Sequence, residues 1–187
     1  MRLFLAINLP TDVRREIVAA TAAVRDVAPD LSWVDESRIH LTLKFFGDQP
    51  QEQADAIRAA AEQVGARHRQ LTMHVGGIGA FPNFRRSRVV WIGVEQESRL
   101  ELLHHDVEMA CADIGFDVEG RPFRPHITLA RVKHPFPEEG ARMLSRTARR
   151  VDYTADVLVR SLDLMQSDLG PGGSAYSTLV AAPLRSE

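Results

Sequence analysis

The chain has 187 residues, with 23 Lys and Arg against 25 Asp and Glu, 44% apolar and 26% charged residues. These values exclude wholesale disorder and a collagenous chain, and fit one domain or two small lobes sharing an interface. A single cysteine, Cys111, excludes an intramolecular disulfide and zinc sites built on paired cysteines, and points to a reducing, cytoplasmic setting.

The N-terminal segment Arg2–Leu9 reads as a buried strand that ends at Pro10. Its apolar run is far short of the ~20 residues of a membrane span and lacks a cleavage pattern, so neither a membrane association nor a secretory signal is expected. Thr11 or Asp12 caps a helix with Val13, Ile17, Val24 and Val27 along one stripe, stopped by Pro29. A strand is expected over about Ile39–Phe46, then a helix from Gln51 to near Gly65 with Ala54, Ile57, Ala61 and Val64 inward. Two strands follow, about Leu71–Phe81 and Arg88–Val94, and their short connection predicts that they pair. The spacing of Leu100, Leu103, Val107, Cys111 and Ile114 predicts a helix over Glu97–Ile114, capped by Gly115. A strand at about His126–Lys133 and a helix at about Pro137–Arg149 come next. Two strands close the chain, about Asp156–Ser167 and Tyr176–Ala182, joined by a turn at Gly170-Pro171-Gly172-Gly173. Neither this turn nor Gly76-Gly77-Ile78-Gly79 opens a helix, which argues against a phosphate or dinucleotide cradle. Helices interleaved with hairpins predict a mixed α+β fold with mostly antiparallel sheet and outer helices.

The near-neutral net charge hides an asymmetry. Residues 121–150 hold eight basic side chains against two acidic ones, and Arg85, Arg86 and Arg88 form a second basic cluster. Such clusters read either as solvated surface balanced elsewhere or as a local anion site.

The most informative feature is an internal repeat. His40-Leu41-Thr42-Leu43 recurs as His126-Ile127-Thr128-Leu129, 86 residues later, each copy in a strand context after a helical segment. Two copies imply two pseudo-symmetric lobes. Side chains alternate along a strand, so His40 and Thr42 share one face while Leu41 and Leu43 point away, and the second copy behaves alike. Facing each other across a groove, the strands present two imidazoles and two hydroxyls. One neutral imidazole can take a proton from a nucleophile and one imidazolium can give a proton to a leaving group, while the hydroxyls donate to phosphate oxygens. No Asp or Glu lies within either tetrapeptide, and two histidines fall short of a zinc ligand set, so neither a metal nor another cofactor is expected.

These paired His-x-Thr-x motifs resemble those of the 2H phosphoesterases. Arg2-Leu3-Phe4-Leu5-Ala6-Ile7, the extension Lys44-Phe45-Phe46-Gly47, the segment Phe123 to Arg131, and the strand–turn–strand pattern from Leu164 to Leu179 look like the bacterial and archaeal RNA 2′,3′-cyclic phosphodiesterases, historically called 2′–5′ RNA ligases. The resemblance covers essentially the whole chain. It implies one bilobal domain over residues 1–187 with the active site in the groove between lobes. It also implies an RNA partner ending in 2′,3′-cyclic phosphate, opened to a 2′-phosphomonoester without metal, and reversible as 2′–5′ ligation. The motif symmetry leaves acid and base interchangeable; the resemblance makes His40 the proton donor and His126 the base. No obligate protein partner is implied, and a monomer is expected. Two rivals remain: a 2H enzyme acting on a small cyclic nucleotide, and a module that binds RNA ends without chemistry.

Thr42 and Thr128 are the expected phosphate-binding hydroxyls. Lys44 lies two residues beyond Thr42, so strict alternation puts it on the catalytic face, either on phosphate or as a solvated strand-end lysine. Arg131 has the wrong parity for the His126 face, but a bulge would bring it to phosphate, and the family-like Leu-Ala-Arg ending favours that role. Phe46 shares the His40 parity and offers base stacking, with core packing as the competing reading. His104, His105, Asp106 and Glu108 read as a polar helix face rather than a metal cluster, and Cys111 as a buried, inert thiol.

Overall fold

In a computed structural model that describes residues 1–170 and 173–186, the strands form one hydrogen-bonded antiparallel sheet with helices packed against it. Among the described residues there are nine strands and five α-helices, in keeping with the expected mixed α+β fold. They run β1 (Arg2–Asn8), α1 (Thr11–Ala20), α2 (Ala22–Val27), β2 (Ser32–Trp33), β3 (His40–Asp48), α3 (Gln51–Arg67), β4 (Leu71–Phe81) and β5 (Val89–Val94). Then come α4 (Ser98–Asp113), β6 (His126–Arg131), α5 (Glu138–Ala148), β7 (Thr154–Val159), β8 (Ser161–Gly170) and β9 (Gly173–Pro183). Gly170 and Gly173 pair with each other, while the Pro171-Gly172 centre of the expected last turn lies outside the described residues.

The sheet order is β7-β4-β5-β6-β3-β1-β8-β9, with β2 paired to β6. The motif strands β3 and β6 are therefore the central neighbours, and each leads a half of four strands. The pairing of β4 with β5 is as expected.

Three boundaries differ from the sequence reading. The helix expected to run unbroken to Pro29 is interrupted at Thr21, which is fully buried and whose hydroxyl donates to the Ile17 carbonyl at 2.7 Å. Such back-bonding competes with regular helix geometry. The break lets Val24 of α2 leave the main core and pack with Leu31, Val90, Ala130 and Leu144. The two-residue strand β2 was not legible, because its length gives no periodicity.

The strand expected at Asp156–Ser167 is two strands that separate at Arg160. One, β7, pairs with β4 in one half, and the other, β8, pairs with β1 in the other half. Five strands lie between them in the sheet order although a single residue joins them in the chain. The sheet must therefore curl until its halves approach, with the apolar face outward against helices.

That face is the main core. Leu5 and Ile7 of β1, Leu41 and Leu43 of β3 and Ile127 and Leu129 of β6 pack with Ile57 and Val64 of α3 and Leu100, Leu103 and Val107 of α4. Each fully buried aliphatic side chain of this kind stabilises by about 1.5–3 kcal/mol before the cost of ordering it. Helix α3 runs past Gly65, where a Cβ would lie 2.9 Å from the Pro183 carbonyl. The bare glycine lets the helix lie against the end of β9. No described helix is long and apolar enough to cross a membrane.

Candidate active site

The motif strands meet at one register pair, Leu41 opposite Ile127. Because they run antiparallel, that pair acts as a local two-fold: the register carries His40 toward Thr128 and Thr42 toward His126. All four polar side chains share the face opposite the helices, as alternation requires.

Both imidazoles are anchored in the same way. His40 Nδ1 donates to the Arg38 carbonyl and His126 Nδ1 to the Arg124 carbonyl, each at 2.7 Å. A carbonyl only accepts, so each Nδ1 carries hydrogen and each neutral ring offers Nε2 as its basic atom. The Thr42 hydroxyl lies 2.8 Å from His40 Nε2 and donates to it.

Aromatic rings hold each imidazole from the side. His40 sits 5.0 Å from Phe4 and 5.6 Å from Tyr176, and His126 sits 4.9 Å from Phe81 and 6.5 Å from Trp91. Bare backbone at Gly79 leaves room for the indole, since a Cβ there would fall 2.2 Å from the Trp91 ring. These rings were not singled out in the sequence as partners of the histidines. Phe4 and Trp91 come from β1 and β5, the strands paired with β3 and β6, while Tyr176 on β9 and Phe81 on β4 come from strands farther out in the sheet, so tertiary structure alone brings them in.

Two bulges decide which further side chains reach this face. In β3, Ala6 faces Thr42 and Leu5 faces Lys44, so Leu43 is an extra residue. In β6, Trp91 faces Thr128 and Val90 faces Ala130, so Leu129 is the corresponding extra residue. Each bulge inverts the parity beyond it. Arg131 is thereby turned onto the face of His126 and lies exposed, opposite Val89. Lys44 is turned the other way, which corrects the expectation that it shares the His40 face. It is 9% exposed, and its ammonium donates to Glu108 Oε2 and the Asp117 carbonyl, both at 2.8 Å.

Phe46 is a second extra residue in β3, opposite the step from Leu3 to Phe4. It is buried, with its ring 4.8 Å from Phe116, so its parity argument fails and core packing holds. Its neighbour Phe45 pairs with Phe4 and is 54% exposed on the face of the histidines. Counting the bulge at Leu43, which repeats at Leu129, is the step that finds it.

Of the residues read as a polar helix face, His105 is exposed, whereas His104 and Glu108 are packed. Glu108 is 5% exposed and joins Lys44 to the Glu119 amide, which donates to Oε2 at 2.9 Å. His104 stacks flat on Phe123 at 3.8 Å between centroids, 3.8 Å from Glu108 Oε1. Together they fasten the segment from Asp117 to Arg124 as one wall of a cleft of about 1040 Å³ that includes Thr42, Phe45, Arg88 and His126. Cys111 lies beneath, its thiol pushed up to about 11 by burial, and is inert as expected.

The 2′-5′ RNA ligase superfamily model matches residues 9–171. The chain belongs to the 2′-5′ RNA ligase superfamily. The resemblance drawn from the two His-x-Thr-x motifs is thus borne out. Similar curated relatives carry the name RNA 2′,3′-cyclic phosphodiesterase. One from Thermus thermophilus is 33% identical over all of this chain and 92% of its own. One from Geobacillus stearothermophilus is 31% identical over 97% of this chain, which spans 56% of that protein's length. Among solved structures, a Thermus thermophilus protein superposes with a TM-score of 0.81 at 31% identity, covering 100% of both chains. E. coli LigT complexed with 3′-AMP superposes with a TM-score of 0.75 at 28% identity, covering 98% of this chain and 97% of that one.

In this superfamily member the His40 pKa lies below the ordinary imidazole value. Burial is the main cause, the Arg38 carbonyl opposes it, and the Arg131 cation lowers it further. Imidazole NMR titration is expected to place His40 below 6.5 and to move it upward in Arg131→Gln, because a repelling cation is gone. An unmoved titration would separate Arg131 from His40. The sign for stability follows: the folded state binds fewer protons than the unfolded one, so the His40 contribution weakens as pH falls below 6.5.

Proposed function

We propose that this chain hydrolyses RNA ends carrying a 2′,3′-cyclic phosphate to 2′-phosphomonoesters, by acid–base catalysis between His40 and His126. The observation that carries this reading is the pair of equivalent imidazoles, each anchored through Nδ1 to a carbonyl two residues upstream. The names of the relatives and the 3′-AMP complex of LigT support a terminal ribonucleotide as the group in the cleft.

In the proposed reaction His126 Nε2 takes a proton from water as its oxygen attacks phosphorus. The P–O3′ bond breaks in line, and His40 gives its proton to the departing 3′ oxygen. Thr42, Thr128 and Arg131 hold the non-bridging oxygens. Burial disfavours the His40 imidazolium, so the bound phosphate's negative charge is what keeps the acid protonated. Lys44 and Phe46 point away from this site and take no direct part. An RNA 5′-hydroxyl in place of water gives a 2′–5′ linkage by the same displacement, with the P–O3′ bond again breaking, which makes ligation a competing branch of the same chemistry; its reverse regenerates the cyclic phosphate. In this reading the chain is one bilobal domain and a monomer working on cytoplasmic RNA; both histidines come from a single chain, so the site needs no second copy.

The test is incubation of an oligoribonucleotide ending in 2′,3′-cyclic phosphate with excess EDTA. A 2′-phosphate product is expected. Absence of turnover, or turnover only with added metal, would overturn the two-histidine reading.

A further inference from the structure

A second cavity lies outside the cleft. It spans about 680 Å³ between α5 and the short 3-10 turn at Phe84–Arg86, and Arg85, Arg142, Arg146, Arg149 and Arg150 line it with Glu138 as the acid. Arg142, Arg146 and Arg149 fall at i, i+4 and i+7 and so share one helix face. Their apolar complement on the same helix, Ala141, Leu144 and Ala148, is buried and fixes that orientation. All five arginines are exposed. Arg142 is bridged to Glu138 at 2.8 Å, and among the described residues no ion pair engages the other four.

Five guanidiniums around one hollow repel one another, and a chain of net charge −2 has acids enough to have neutralised them. Guanidinium forks match phosphate oxygens two at a time. The position of the cavity gives the cluster a purpose. The turn carrying Arg85 belongs to the β4–β5 connection, and the same connection puts Pro82 and Arg88 into the wall of the catalytic cleft. One side of this loop faces the cleft and the other faces the arginines.

We propose that the α5 arginine cavity binds the backbone phosphates of the RNA strand upstream of the cyclic-phosphate end, after the strand passes over the β4–β5 loop. This rests on the proposed function and extends it: the preferred substrate is an oligoribonucleotide several phosphates long, and a lone nucleoside cyclic phosphate uses the cleft alone. Shape and charge recognition of this kind is indifferent to base identity and steeply dependent on salt.

The variant Arg142→Gln/Arg146→Gln/Arg149→Gln tests it, since all three side chains are exposed and circular dichroism can verify the fold. With a ten-nucleotide RNA ending in 2′,3′-cyclic phosphate, KM is expected to rise about tenfold or more with kcat unchanged. The slope of log binding against log salt should fall by about 2, the loss expected for three single-strand phosphate contacts. Turnover of a nucleoside 2′,3′-cyclic monophosphate should not change. An unaltered KM and salt slope for the ten-nucleotide RNA would overturn the proposal, and so would an equal loss with the mononucleotide. If the wild-type protein turns over neither substrate, the functional reading fails instead. Fluorescence anisotropy with the uncleaved RNA then decides the surface alone: equal affinity of wild type and variant overturns it, and weaker binding by the variant upholds it.

Discussion

His126→Ala is expected to lower turnover of a cyclic-phosphate RNA end by at least about 100-fold while leaving the fold intact, because a positioned general base contributes 10²–10⁴-fold. The ring is partly exposed and held by one carbonyl and by the neighbouring rings of Phe81 and Trp91, so its removal opens no core cavity. His40→Ala should match it in rate and cost more in stability, since that ring is packed between Phe4 and Tyr176. The double variant should be little slower than either single one, because acid and base act in one transition state and their losses do not multiply. Single-turnover rates with circular dichroism on each protein check this. A folded His126→Ala protein with near-normal kcat would remove His126 from the chemistry.

Lys44→Ala should be among the most destabilising single changes in the chain, at about 3–5 kcal/mol, because it strands a carboxylate in the interior. The pair is deeply buried, with side-chain exposures of 8% for Lys44 and 6% for Glu108. Glu108 also accepts from the Glu119 amide, so the damage should spread along the wall from Asp117 to Arg124. The expected result is a large drop in the urea midpoint with faster hydrogen exchange at the Glu119 amide. A phosphate-binding lysine would behave in the opposite way, with weakened substrate binding and an unmoved midpoint. The two measurements therefore separate a residue that positions the cleft wall from one that touches phosphate.

The repeated His-x-Thr-x tetrapeptides were legible because they need no tertiary information. A strand alternates its side chains wherever it sits, so His40 with Thr42 and His126 with Thr128 had to share faces. The helical stripes of α3 and α4 were readable for the same reason, since Ala54, Ile57, Ala61 and Val64, or Leu100, Leu103 and Val107, mark a buried face by spacing alone.

What the sequence could not supply was set by pairing between distant strands. The bulges at Leu43 and Leu129 exist only where β3 and β6 meet β1 and β5, and they swap the fates of Lys44 and Arg131. Phe4 and Trp91 reach the histidines from β1 and β5, beside the motif strands, and Tyr176 and Phe81 reach them from β9 and β4, farther out in the sheet. Glu108 reads as a surface residue until α4 places it against Lys44. Local periodicity is a property of the chain and is written in the order of its residues. Register, parity after a bulge, and the partner of a buried charge are properties of contacts between segments far apart in the chain, and only the folded sheet decides them.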